Sequence, residues 1–150
     1  MLGAAFVAFG HYLAFFALAA TLVLELALIT ESLSVDLAKR IQRADRVMAA
    51  SAVLLLVFGL LRVIYFEKGS DYYFSNTFFQ IKLALFIVAG AISLYPSAVF
   101  RRWSSELRQD IAPELSADMV KRLKQIIHWE LVLIGAILIC ASLMAKGFGS

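Results

Sequence analysis

His11, Lys82 and Arg62 are the side chains here whose types suit a cofactor. A neutral imidazole and a deprotonated amine can both ligate the iron of haem b, histidine as the ordinary ligand and lysine as the rarer one. A guanidinium at the rim of such a site matches a propionate. Each residue stands in or at the end of an apolar run. A full charge at a bilayer centre costs about 3 kcal/mol or more, so something must meet Lys82. The competing reading is structural: Lys82 extends its stem toward the interface, and His11 donates to a neighbouring carbonyl. Spacing alone favours that structural reading.

Glu25, Glu130 and His128 form a second set. Two carboxyl groups in apolar surroundings can hold and pass protons. Alternatively, Glu130 pairs with a basic side chain near the membrane boundary, such as Arg46 or Lys124. His128 and Glu130 are two positions apart, so on a helix they point to different sides and at most one faces a bundle centre.

The elements that must position these groups are membrane helices. Of 150 residues, 62% are hydrophobic and 17% charged, and the mean hydropathy is +0.84. A soluble domain is about half apolar and a quarter charged. The chain reads as one domain, 1–150, with spans at about 3–30, 47–66, 73–100 and 125–145. The expected fold is an all-α, integral-membrane four-helix up-down bundle. The first run is far longer than the apolar core of a signal peptide, and no Lys or Arg precedes it, so it reads as a retained span. Ser34 and Ser116 suit N-caps, with Asp36 near the start of the helix after Ser34. That helix should begin in water and enter the membrane near Val47. Ala89, Gly90 and Ala91 give the third span a small face that permits close packing and self-association. The single cysteine, Cys140, excludes an intrachain disulfide and a cysteine-based metal cluster.

Orientation follows from the basic residues. The first connection carries Lys39, Arg40, Arg43 and Arg46. The third carries Arg101, Arg102, Arg108, Lys121, Arg122 and Lys124. The second has only Lys68, with Arg62 at its edge. The positive-inside rule makes the first and third connections cytoplasmic and puts both termini outside. The net charge of +3 is thus a topology signal and not a nucleic-acid surface. Counting from the helix ends places His11 about 12 Å and Lys82 roughly 9–14 Å from the outer boundary. Together with Arg62 they form an outer layer, while Glu25, His128 and Glu130 form an inner one. His11 and Glu25 are two heptads apart and share one stripe of the first span.

No Walker loop, HExxH, GxSxG or CxxC occurs. The segment YFEKGSDYYFSNTFFQIKLALFIVAGAISLYPSAVFRRW resembles a bacterial four-helix membrane family, domain of unknown function 2214. So do HYLAFFALAATLVLELAL near the start and HWELVLIGAILICASLMAKGFG near the end. That resemblance implies a bundle in the bacterial cytoplasmic membrane and no particular activity. More distantly, the chain is similar to the HemJ-type membrane protoporphyrinogen oxidases and their copper-resistance-D relatives. GHYLAFF places His11 at that family's first-helix histidine, and FQIKLAL places Lys82 at the lysine of its HAKL-like motif. HWEL, with Glu130, loosely matches an Asn-Glu-Val-Pro-like turn. The histidine and lysine of that family are implicated at haem, so the resemblance implies His11 and Lys82 at haem iron. Gln80 replaces the motif's histidine, and no proline follows Glu130, so haem binding carries over more readily than porphyrinogen oxidation.

With the resemblance added, the expected function is a b-type haem membrane protein, an oxidoreductase of porphyrin or electron-transfer chemistry. A proton-coupled transporter using Glu25, Glu130 and Lys82 is the first alternative, and a structural or assembly subunit the second. Expected partners are the lipid bilayer, haem or porphyrin, and a second copy of the chain.

Overall fold

Side chains recurring every three or four residues set the inward stripe of each long helix. The structure is a computed structural model that describes residues 2–67 and 69–149. In α1 (Leu2–Leu28) the buried stripe is Ala14, Leu18, Leu22 and Glu25. In α2 (Val35–Leu61) it runs through Ala38, Ile41, Asp45, Met48, Ser51 and Leu55. A π-helical turn, Arg62–Phe66, continues α2. Then come the short α3 (Ser70–Ser75), α4 (Thr77–Arg102), the short α5 (Ser104–Arg108) and α6 (Ala117–Ala145). The stripe of α6 is Val120, Leu123, Ile127, Glu130 and Ile134. Among the described residues, four helices are long and apolar enough to cross a membrane: Leu2–Leu28, Val35–Phe66, Thr77–Arg108 and Ala117–Ala145. The all-helical four-span architecture expected from the sequence is present. Lys68, counted above among the basic residues of the second connection, lies outside the described residues.

Helix ends are set by caps and not by the apolar boundary. Ser34 Oγ accepts the Leu37 N–H at 3.2 Å, and Ser116 Oγ accepts the Met119 N–H at 3.3 Å. Each thereby satisfies a main-chain donor that a helix start leaves free. Hence α2 and α6 begin at Val35 and Ala117, well before the apolar stretches that start at 47 and 125. The extra turns of α2 expose Arg40, Arg43 and Arg46 while burying Ala38 and Ile41.

Packing is uneven along the bundle. α1 lies on α2 and α4 on α6; the two pairs meet along α1–α6 and α2–α4, which leaves α1 and α4 diagonally opposed. At the end bearing the basic connections, Ile29, Ile41, Phe100, Leu123 and Ile127 are fully or nearly fully buried. Lys39 pairs with Asp110 there at 3.1 Å. An isolated bridge between Ser32 and Glu114 joins the first and third connections. At the opposite end Gly3 lies beside Phe66, and Gly149 beside Asn76. Both described chain ends therefore share that end with the second connection. On the small face of α4, Gly90 is exposed, and a Cβ added there would meet nothing within 4 Å.

Candidate functional site

Where the two helix pairs part, toward the end carrying the chain termini, they leave a cavity of about 490 Å³. That is within the range of small-molecule sites, roughly 300–1,000 Å³. His11 reaches it from α1, Arg62 from the π turn and Lys82 from α4, between apolar walls that include Phe15, Phe86 and Ile137. The three residues that the sequence count assigns to one outer layer line one shared cavity. π turns interrupt the regular ladder and often occur at functional sites; this one carries Arg62 and Val63 to the cavity.

The three basic groups have different surroundings. The His11 ring packs against Gly59 of α2, and its Nδ1 is buried without an aligned hydrogen-bond partner. The Leu55 carbonyl is near enough to act on the ring but is not aligned with that nitrogen. Lys82 has no hydrogen-bond or salt-bridge partner among the described residues, and its Nζ lies 5.1 Å from the centre of the Phe79 ring. Arg62 is held: its Nη2 is 2.6 Å from Glu67 Oε1, and its guanidinium lies 5.4 Å from the centre of the Tyr12 ring. Glu67 also accepts from the Tyr73 hydroxyl at 3.3 Å. Partial burial, followed by the neighbouring Glu67 carboxylate, pushes the Tyr73 hydroxyl above its ordinary pKa.

Below the cavity, toward the basic end, lies a layer of carboxyl groups. Glu25 of α1 is 1% exposed, Glu130 of α6 2% and Asp45 of α2 5%. Asp45 accepts a hydrogen bond from the Ser97 hydroxyl of α4. Oε1 of Glu25 and Oε1 of Glu130 are buried with no hydrogen-bond partner among the described residues. Neither Arg46 nor Lys124 forms an ion pair with Glu130 among the described residues. His128 and the adjacent Trp129 are exposed, so of the two polar residues at the start of the fourth span only Glu130 joins the layer.

A family model described as "Predicted membrane protein (DUF2214)" matches residues 4–149. The chain belongs to that family. No curated protein and no solved structure matches it. The family description reaches no further than the membrane, so the chemistry of this DUF2214 protein has to be argued from its own residues.

Those residues fit a haem in kind. His11 offers an imidazole and Lys82 an amine without a protein partner, from diagonally opposed helices across an apolar space. Arg62 offers a guanidinium, although a propionate would have to share it with Glu67. Gln80, two positions before Lys82, does not line the cavity and donates to the Phe74 carbonyl at 2.8 Å. It fastens the α3–α4 junction instead.

Two site residues were missed in the sequence. Asp45 sits in the basic stretch RIQRADR and reads there as solvated. Its signal was periodicity: Ile41, Asp45, Met48 and Ser51 recur at helical spacing on one face. Glu67 reads as an ordinary turn residue, yet five positions after Arg62 it closes the guanidinium against the cavity rim. No sequence pattern announces the π turn that makes this closure.

Proposed function

We propose that this protein binds haem b in the cavity shared by His11, Lys82 and Arg62 and takes part in membrane electron-transfer or porphyrin chemistry. The supporting observation is the convergence of an imidazole, an unpaired amine and a guanidinium from three segments on one apolar cavity. Haem bound there would supply one-electron chemistry. The chain's own part is to hold it. His11 and Lys82 stand on opposite sides of the space, Arg62 attracts a carboxylate at the rim, and Phe15 and Phe86 offer apolar walls for a ring. In the bacterial cytoplasmic membrane, with the basic connections inside, the cavity belongs to the outer half of the bilayer.

The test is the visible spectrum of the full chain, purified from a haem-supplied host or reconstituted with haem. A Soret band is expected. His11→Ala removes it or shifts it strongly, Lys82→Ala alters it while keeping some haem, and Arg62→Ala weakens retention with little shift. A chain that stays colourless after reconstitution overturns the proposal.

A further inference from the structure

We propose that Glu25, Asp45 and Glu130 form a proton-binding site that loads from the basic end of the bundle through Asp45. It is separate from the cavity and stands whether or not that cavity takes haem.

Each of the four long helices contributes one group to this layer: Glu25 from α1, Asp45 from α2, Ser97 from α4 and Glu130 from α6. The carboxyls are near enough to act on one another electrostatically: Asp45 and Glu130 act on Glu25, and Asp45 acts on Glu130. The basic groups that act on the layer are Arg46 of α2 and Arg101 of α4, and both act on Asp45. Three carboxylates buried together in a low-dielectric interior would repel one another, and like charges sharing a site keep protons on some of them. Two oxygens, Oε1 of Glu25 and Oε1 of Glu130, have no donor to meet them. A bare buried anion of that kind is strongly disfavoured, because nothing replaces its lost hydration. The two glutamic acids therefore hold their protons, and Asp45, with a hydroxyl donor and two arginines in reach, carries the charge.

A metal ion is the other ligand that buried carboxylates could take. Among the described residues, no group of three or more His, Cys, Asp or Glu is arranged to hold one. The chemistry that remains is proton binding and exchange. The Asp45 carboxylate takes a proton from hydronium at the basic end, which breaks one hydronium O–H bond, leaves water and forms the Asp45 O–H bond. It then gives that proton to whichever glutamate is deprotonated, which breaks the Asp45 O–H bond, forms the new one on the glutamate and leaves the negative charge on Asp45.

Infrared spectroscopy of the full chain in phosphatidylcholine vesicles tests this. At neutral pH the carbonyl stretch of protonated carboxylic acids is expected, moving to lower frequency in D2O. Glu25→Gln and Glu130→Gln should each remove one component. Asp45→Asn should keep both but slow their deuteration. Loss of the band on adding sodium chloride at constant pH would mean a cation site and overturn the proposal. So would the absence of any such band at neutral pH, or its persistence unchanged in both glutamine variants. If those variants do not fold, the wild-type band and its indifference to sodium decide alone. Deuteration of Asp45→Asn as fast as wild type overturns the entry route.

Discussion

The His11 ring of α1 and Gly59 of α2 touch so closely that a Cβ built on the glycine would stand 3.3 Å from His11 Cε1 and 3.6 Å from Nδ1. The absence of a side chain at position 59 thus lets the ring lie flat against α2 while still lining the cavity. Gly59→Ala should push the ring by a few tenths of an ångström without breaking the bundle. The expected cost is about 1–3 kcal/mol for a tight insertion, read as a modest fall in melting temperature in detergent. A haem-loaded sample should also show a shifted spectrum. Gly90→Ala is the control: the new methyl meets nothing, so it should leave the spectrum unmoved and raise stability only by alanine's helix preference, about 0.5–1 kcal/mol. A Gly59→Ala protein with lowered stability but an unmoved spectrum would show that the ring is packing and not a ligand.

Arg62 and Glu67 set up a competition at the cavity rim. Their ion pair is 25% and 33% exposed, and pairs of this kind contribute about 0–1 kcal/mol after screening. Glu67→Gln should therefore scarcely change stability. It should free the guanidinium and tighten retention of any ligand bearing a carboxylate, whereas Arg62→Ala should weaken it. Dissociation rates of haem and of its dimethyl ester would separate the effects. The ester lacks the anion, so neither substitution should alter its release.

Orientation can be read directly. Ser70 lies at the end shared by the two described chain ends, and Ser105 lies in the third connection; both are exposed. With basic connections inside, Ser70→Cys in a Cys140→Ser background should label from outside intact cells with an impermeant maleimide, and Ser105→Cys only after lysis. The reverse pattern would invert the bundle and place the cavity in the inner half.

Why some of this was legible and some was not follows from the range over which each signal acts. Helix stripes, caps at Ser34 and Ser116, and the matching depths of His11 and Lys82 depend on spacing along one chain. Counting at 1.5 Å per residue recovers them. The diagonal placement of α1 and α4 depends on which helices pack together, and no local pattern encodes it. Asp45 was obscured because the membrane boundary was taken from charge density: Arg43 and Arg46 flank it, yet both point outward while it points in. Ala89–Gly90–Ala91 shows how little a small face fixes by itself: it permits close packing but does not require it, and a Cβ added at Gly90 would meet nothing within 4 Å. Asn76 was read only as the start of an apolar run, because its second partner is more than seventy residues distant.

That partner makes Asn76 a clasp. The residue is fully buried; its Oδ1 accepts the Phe79 N–H at 3.2 Å, and its Nδ2 donates to the Phe148 carbonyl at 3.0 Å. Next to it, the Thr77 N–H donates to the Gly149 carbonyl at 3.0 Å. Gly147, at φ 86°, reverses the chain after α6 so that these last residues reach the start of α4. The C-terminal turn thereby satisfies donors that the α4 start would otherwise leave free. Asn76→Ala should remove both the cap and the clasp, costing about 1–3 kcal/mol for the stranded buried groups. Thr77→Pro separates the two contributions. Proline is well tolerated at the first helical position, and Asn76, at φ −79° and ψ 122°, already has the extended backbone that a residue before proline needs. The substitution should leave α4 intact by circular dichroism while deleting only the bond to Gly149. Carboxypeptidase should then trim the C-terminus faster in both variants, with the larger loss of melting temperature in Asn76→Ala. Trimming of Thr77→Pro at the wild-type rate would mean that the Asn76 side chain alone secures the turn.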